Sequence, residues 1–153
     1  MKRLLPIILI LTLLLVGCGG GKEVDYTTLS VEEIVENIAE KERFEVDDIS
    51  ENNNSYKIIL KTSVASDKAA RKTLLMKTKD ILKKLEGKGV EFINIEWQVE
   101  LVDKFGNAEY TPVMRLDFTK EILDKINWDN FDYNNLDKIA DDYWEHQVLK
   151  AGD

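Results

Sequence analysis

Ile93-Asn94-Ile95-Glu96-Trp97-Gln98-Val99-Glu100-Leu101 alternates apolar and polar side chains without a break. A period of two marks a strand with one face in a core and the other in water. Ile93, Ile95, Trp97, Val99 and Leu101 therefore read inward, and Asn94, Glu96, Gln98 and Glu100 outward. Asp103-Lys104-Phe105-Gly106-Asn107 turns the chain, with Gly106 or Asn107 suited to a positive φ, and residues 110–118 return as the partner strand. Pro112 has no amide proton to give a neighbour, which favours an edge position for that strand. Upstream, residues 56–62 alternate with Tyr56, Ile58 and Leu60 inward. Asn52-Asn53-Asn54 reads as a turn, and Phe44 and Val46 mark a short strand, so these pieces form a second hairpin.

Helical spacing separates and flanks the hairpins. Ser30-Val31-Glu32-Glu33 has the composition of a capping box, followed by Val31, Ile34, Val35, Ile38 and Ala39 on one helical face. A long helix is predicted over residues 66–86, capped by Ser66 and stopped by Gly87, with Ala70, Leu74, Leu75, Ile81, Leu82 and Leu85 as its apolar stripe. Short helices are predicted over 120–126, capped by Thr119, and over 136–143. The order α-β-β-α-β-β-α predicts a two-layer α+β domain, a mostly antiparallel four-stranded sheet with helices on one face.

The first residues carry a different message. Lys2 and Arg3 lead into an apolar run over residues 4–16 that ends at Leu15-Val16-Gly17-Cys18. Thirteen apolar residues interrupted by Pro6 are too few for a membrane span, which takes about 20. Cationic start, short apolar core and small residues at the end resemble a bacterial lipoprotein signal peptide, and Leu15-Val16-Gly17-Cys18 matches its lipobox at all four positions. The resemblance implies cleavage after Gly17 and a diacylglyceryl thioether with palmitate-type chains on Cys18. It also implies a cell-membrane location on the extracytoplasmic side. Cys18 is the sole cysteine, so it has no partner within the chain. Two acyl chains anchor firmly where one binds marginally.

On this reading residues 1–17 are a cleaved signal peptide, 18–27 the lipidated cysteine and a flexible tether opened by three glycines, 28–147 a single α+β domain, and 148–153 a C-terminal tail. Cleavage removes Lys2 and Arg3 and leaves 19 basic against 29 acidic residues, a net charge of −10. That balance opposes nucleic acid as a partner, because such binding draws on cations displacing counterions at phosphates. The length suits one core and excludes the two-lobed ligand-capturing lipoproteins that serve transporters.

Three patterns bear on chemistry. Trp128, Phe131, Tyr133, Tyr143 and Trp144 place five of thirteen aromatics within seventeen residues, either as cover for the sheet or as a recognition surface. Residues 129–137 are rich in Asp and Asn, but no glycine or terminal Glu stands where a helix-loop-helix calcium site needs it, so no metal or cofactor is implied. Charge is segregated: residues 67–88 carry eight bases against three acids, and 117–153 ten acids against four bases. The first group reads as a solvated helix face, with anionic lipid heads as the alternative. Asp137, Asp141, Asp142 and Glu145 could steer a basic partner. No nucleophile or paired-carboxylate motif points to catalysis, and His146 lacks a neighbouring nucleophile. The expected function is therefore non-catalytic: protein contact at the outer side of the cytoplasmic membrane, as an accessory, immunity or exclusion-type factor. The alternative is an envelope glycan or peptide binder using the aromatic cluster.

Overall fold

The computed structural model describes residues 24–63 and 68–150. The signal peptide, Gly17, Cys18, Ser66 and the last three residues lie outside them. The described residues form a mixed α/β fold with four α-helices and one open five-stranded sheet. Helix α1 (Val31–Glu42) is followed by β1 (Glu45–Asn52) and β2 (Ser55–Thr62), then α2 (Lys68–Lys84), β3 (Phe92–Val102) and β4 (Ala108–Thr119). Two four-residue helices, α3 (Lys120–Leu123) and α4 (Leu136–Ile139), precede β5 (Asp142–Glu145).

The sheet runs β1-β2-β3-β4-β5. All pairs are antiparallel except β2 with β3, which the α2 crossover makes parallel. The fifth strand corrects the expected count of four and the helix expected over 136–143. Leu136 opens one helical turn, which stops at Ala140, and Asp142-Tyr143-Trp144-Glu145 then pairs with residues 114–117 of β4. The adjacent rings Tyr143 and Trp144 have higher strand than helix propensity, and pairing with β4 fixes the strand. In consequence β4 is internal over residues 114–117, but Pro112 lies in its stretch without β5 and so keeps the expected edge position. Pro112 stands opposite Gln98 beside a bulge at Val113, above the point where β5 pairing ends.

Local signals set the elements. The Ser30 hydroxyl accepts from Glu33 N at 3.2 Å while Ser30 N donates to the Glu33 carboxylate at 2.8 Å, which closes the capping box. Asn53 and Asn54, both at positive φ, turn β1 into β2. Gly87 at φ +77 ends the α2 region. Thr119 gives α3 no side-chain cap; its own amide donates to Asp141 instead.

The core lies between the helices and the inward face of the sheet. Ile34, Ile38, Leu74, Leu75, Ile81 and Leu82 meet Ile58, Leu60, Ile93, Ile95, Trp97, Leu116 and Phe118 in one cluster. The Trp97 indole N–H donates to Thr78 Oγ1 of α2 at 2.8 Å, and its ring meets Phe44 edge-on at 5.1 Å. Tyr26 and Leu29 pack against the cluster, and Leu149 is fully buried.

Candidate functional site

The structure scatters the five aromatics singled out in the sequence. Trp128 is buried, with Phe131 edge-on to it at 5.8 Å, and Phe131 and Tyr133 are half-buried against the core. Tyr143 and Trp144 are adjacent in β5 and so point to opposite faces of the sheet. Tyr143 turns toward α2, whereas Trp144 stays 40% exposed on the face away from it. Of the five, only Trp144 presents an open ring.

On the helix side, Arg71 of α2 gathers the C-terminal segment. Its Nη2 donates to Asp137 Oδ2 and its Nε to Glu145 Oε2, both at 2.7 Å, while the Tyr143 hydroxyl donates to the same Glu145 oxygen. Burial works against the charge on Arg71, but Glu145, Tyr143 and Asp137 outweigh it and hold the guanidinium above its ordinary value. Burial and then the Glu145 carboxylate push the Tyr143 phenol upward, so it remains a donor. Asp137 Oδ1 is buried without a hydrogen-bond partner.

The rest of the basic helix does similar work. Lys79 donates to Phe131 O, Lys83 reaches Asp129 at 3.0 Å, and Lys84 lies 4.7 Å over the Tyr26 ring. Lys88, just past the helix, donates to Thr27 O and Leu29 O. The charge segregation seen in the sequence is thus largely intramolecular: the cations of this region pin the two ends of the described chain. It also engages two of the four proposed steering acids. Arg71 holds Asp137 and Glu145, and Asp141 accepts from Thr119 N at 2.6 Å, which leaves Asp142 as the exposed member without such a bond.

The opposite face of the sheet carries a second constellation. Glu96 points outward from β3 yet is only 6% exposed. Arg115, opposite it on β4, donates to Glu96 Oε2 from Nε at 3.2 Å and Nη2 at 2.8 Å, and Gln98 donates to Oε1 at 2.9 Å. Burial raises the Glu96 carboxyl, but the bonds from Gln98 and Arg115 and the Arg115 charge pull it lower still, so the net shift is downward. Arg115 in turn lies 5.7 Å from the Trp144 ring, and His146 meets that ring edge-on at 6.3 Å. His146 Nδ1 accepts from Val148 N, a capping role for the turn that buries Leu149. Beside this stack, a groove of about 380 Å³ runs between Tyr56, Lys57, Asn94 and Asp117.

Arranged this way, the Glu96 carboxylate is held ionised in an ion pair and presents no spare proton. What the face offers is a fixed charge pair under an indole, beside hydrogen-bonding groups. Sequence reasoning missed Glu96, Arg115 and Arg71 because their pairings depend on strand register and tertiary packing. Among the described residues, no His, Cys, Asp and Glu side chains cluster to hold a metal ion, and no helix is long and apolar enough to cross a membrane. Comparison with models of known families, with curated proteins and with solved structures found no match.

Proposed function

We propose that this chain is a lipid-anchored bacterial envelope protein that acts by protein contact at the outer side of the cytoplasmic membrane, as an accessory, immunity or exclusion-type factor. Its contact surface is the open sheet face around Trp144. The carrying observation is where exposed apolar side chains fall. Val102, Tyr110 and Trp144 share that face and Phe105 sits on the turn continuing it, with exposures of 65, 43, 40 and 78%. Trp, Tyr and Arg are the usual anchors of protein interfaces, and Arg115 is held beneath Trp144 by Glu96. The lipobox at Cys18 supports the location.

Two measurements test the reading. Cys18→Ser removes the acceptor thiol, so the protein leaves the membrane pellet after a carbonate wash; retention there would show that lipid is not the anchor. Trp144→Ala leaves the domain folded, at a cost of about 1–3 kcal/mol from its cation–π contact and the covered part of its ring. It lowers partner capture in intact cells at least tenfold or so, as loss of an interface anchor does. Equal capture by both proteins would remove Trp144 from the interface. A second reading, glycan or peptide binding, draws on the groove beside Asn94 and Asp117, since Asp117 lies two residues along β4 from the partner of Trp144. Glycan-array binding lost on Trp144→Ala would favour it.

A further inference from the structure

The β3–β4 hairpin outgrows the sheet. β2 pairs with β3 only as far as Val99, and β5 pairs with β4 only from residue 114 downward. Residues 100–110 therefore extend past the neighbouring strands as an arm, with Leu101 still packed on the core and Lys61 of β2 5.2 Å over the Tyr110 ring at its base. Their turn is tightly specified: Asp103 Oδ1 accepts from Phe105 N at 2.8 Å and Asn107 N at 2.9 Å, and Oδ2 accepts from Asn107 Nδ2 at 3.0 Å. Gly106 at φ +87 completes it, and Asp103 N bonds Asn107 O. This ordered turn holds Phe105 78% exposed, with Val102 65% and Tyr110 43% exposed on the strands behind it. An apolar ring held in water by a built turn is preorganised for contact.

The arm also has a direction. Lys88 holds residues 27 and 29 next to the start of β3, and the turn caps its far end, roughly 34 Å away at strand rise. Residues 26–29, the first attached stretch of the described chain, therefore lie at the end opposite the arm. Glu100, Asp103 and Glu109 outnumber Lys104 on it. Anionic lipid heads repel such a tip, whereas a basic protein surface attracts it.

We infer that the β3–β4 arm is a preformed docking finger, held at the end of the domain away from the lipid anchor, whose partner is a protein presenting an apolar socket for Phe105 rimmed by Lys or Arg. The inference rests on the protein-contact reading and places a second contact beyond Trp144.

The test uses the full lipidated chain in the cells it comes from, with p-benzoylphenylalanine placed at Phe105, Trp144 or, as a control, the exposed Met76 of α2. The photoreactive residue keeps an aromatic ring at the tip. Expected is a protein adduct from position 105 about tenfold above that from position 76, falling about tenfold when Glu100→Lys and Glu109→Lys are added. The adduct mapped by mass spectrometry should place apolar residues beside Lys or Arg in the partner peptide, with melting and membrane fractionation unchanged. Lipid adducts, an adduct of twice the chain's mass, equal yields at 105 and 76, or insensitivity to the charge reversals would each overturn the proposal. An adduct from position 144 without one from 105 removes the finger and spares the protein-contact reading. None from either, in protein that still fractionates with membranes, removes both.

Discussion

At the scale of single residues, neighbours in β3 face different environments and predict different losses. Trp97 is fully buried, bonded to Thr78 and edge-on to Phe44. Trp97→Ala should cost about 3–5 kcal/mol through lost burial and an unfilled cavity. Trp97→Phe should cost less and isolate the bond to Thr78. Glu96 is outward-facing, and alternation alone would make it dispensable; its pairing says otherwise. Glu96→Ala strands Arg115 and Gln98, yet Arg115 is 42% exposed in its side chain, so solvent screening limits the loss to about 1 kcal/mol. Because the folded-state carboxyl titrates below its ordinary value, Glu96 contributes stability above about pH 4.5 that disappears as pH falls through the folded value. Glu96→Gln should flatten that part of the acid-stability curve. Denaturant titrations from pH 3 to 7 measure it, and identical slopes for both proteins would show that the ion pair adds no stability.

Among elements, the bulge at Val113 decides what was legible. Counting back from the turn, where Val102 stands opposite Ala108, a regular ladder would set Trp97 opposite Val113. The observed partner is Met114, and Glu96 meets Arg115. One extra residue thus reverses the face of the lower half of β4. This puts Arg115 and Asp117 on the open face together with Tyr110, which strict alternation would have placed on the core side with Met114. Capping box, β3 alternation and α2 stripe were legible because each is local in sequence. The bulge and β5 were not, because a four-residue strand has too few positions to show a period and is fixed by pairing with β4 and by Arg71. Removing that clamp should therefore loosen one region only. Arg71→Ala leaves Asp137 without its cation and Glu145 with only the Tyr143 hydroxyl and the distant Lys150, at a cost of about 2–3 kcal/mol, somewhat below a fully buried pair. Hydrogen exchange should accelerate across residues 137–149 while β3 amides keep their protection. Uniform acceleration would mean that β5 opens only with the whole domain.

Over the whole molecule, the basic region from Arg71 to Lys88 explains how a domain of this size keeps both ends attached to one core. Lys84 and Lys88 hold residues 26–29 at one end, while Arg71, Lys79 and Lys83 hold residues 129–145 toward the other. Tyr26 and Leu29 reach the core by the first attachment, and Leu149 by the chain that continues from the second. A chain limited to residues 24–150 should therefore unfold in one transition, with matching midpoints by far-ultraviolet dichroism and tryptophan fluorescence. A chain limited to 28–147 keeps every α-helix and strand but loses the turn over Gln147–Leu149 together with Tyr26 and Leu149, both of which pack on the same cluster. Losing a buried Leu alone costs about 2–5 kcal/mol, so its melting temperature should fall by about 10 °C. Calorimetry on the two chains decides the matter. Equal melting temperatures would mean that the ends lie on the domain without belonging to its cooperative unit. The 3₁₀ turn capped by His146 would then be an ornament on β5 rather than the closing contact of the fold.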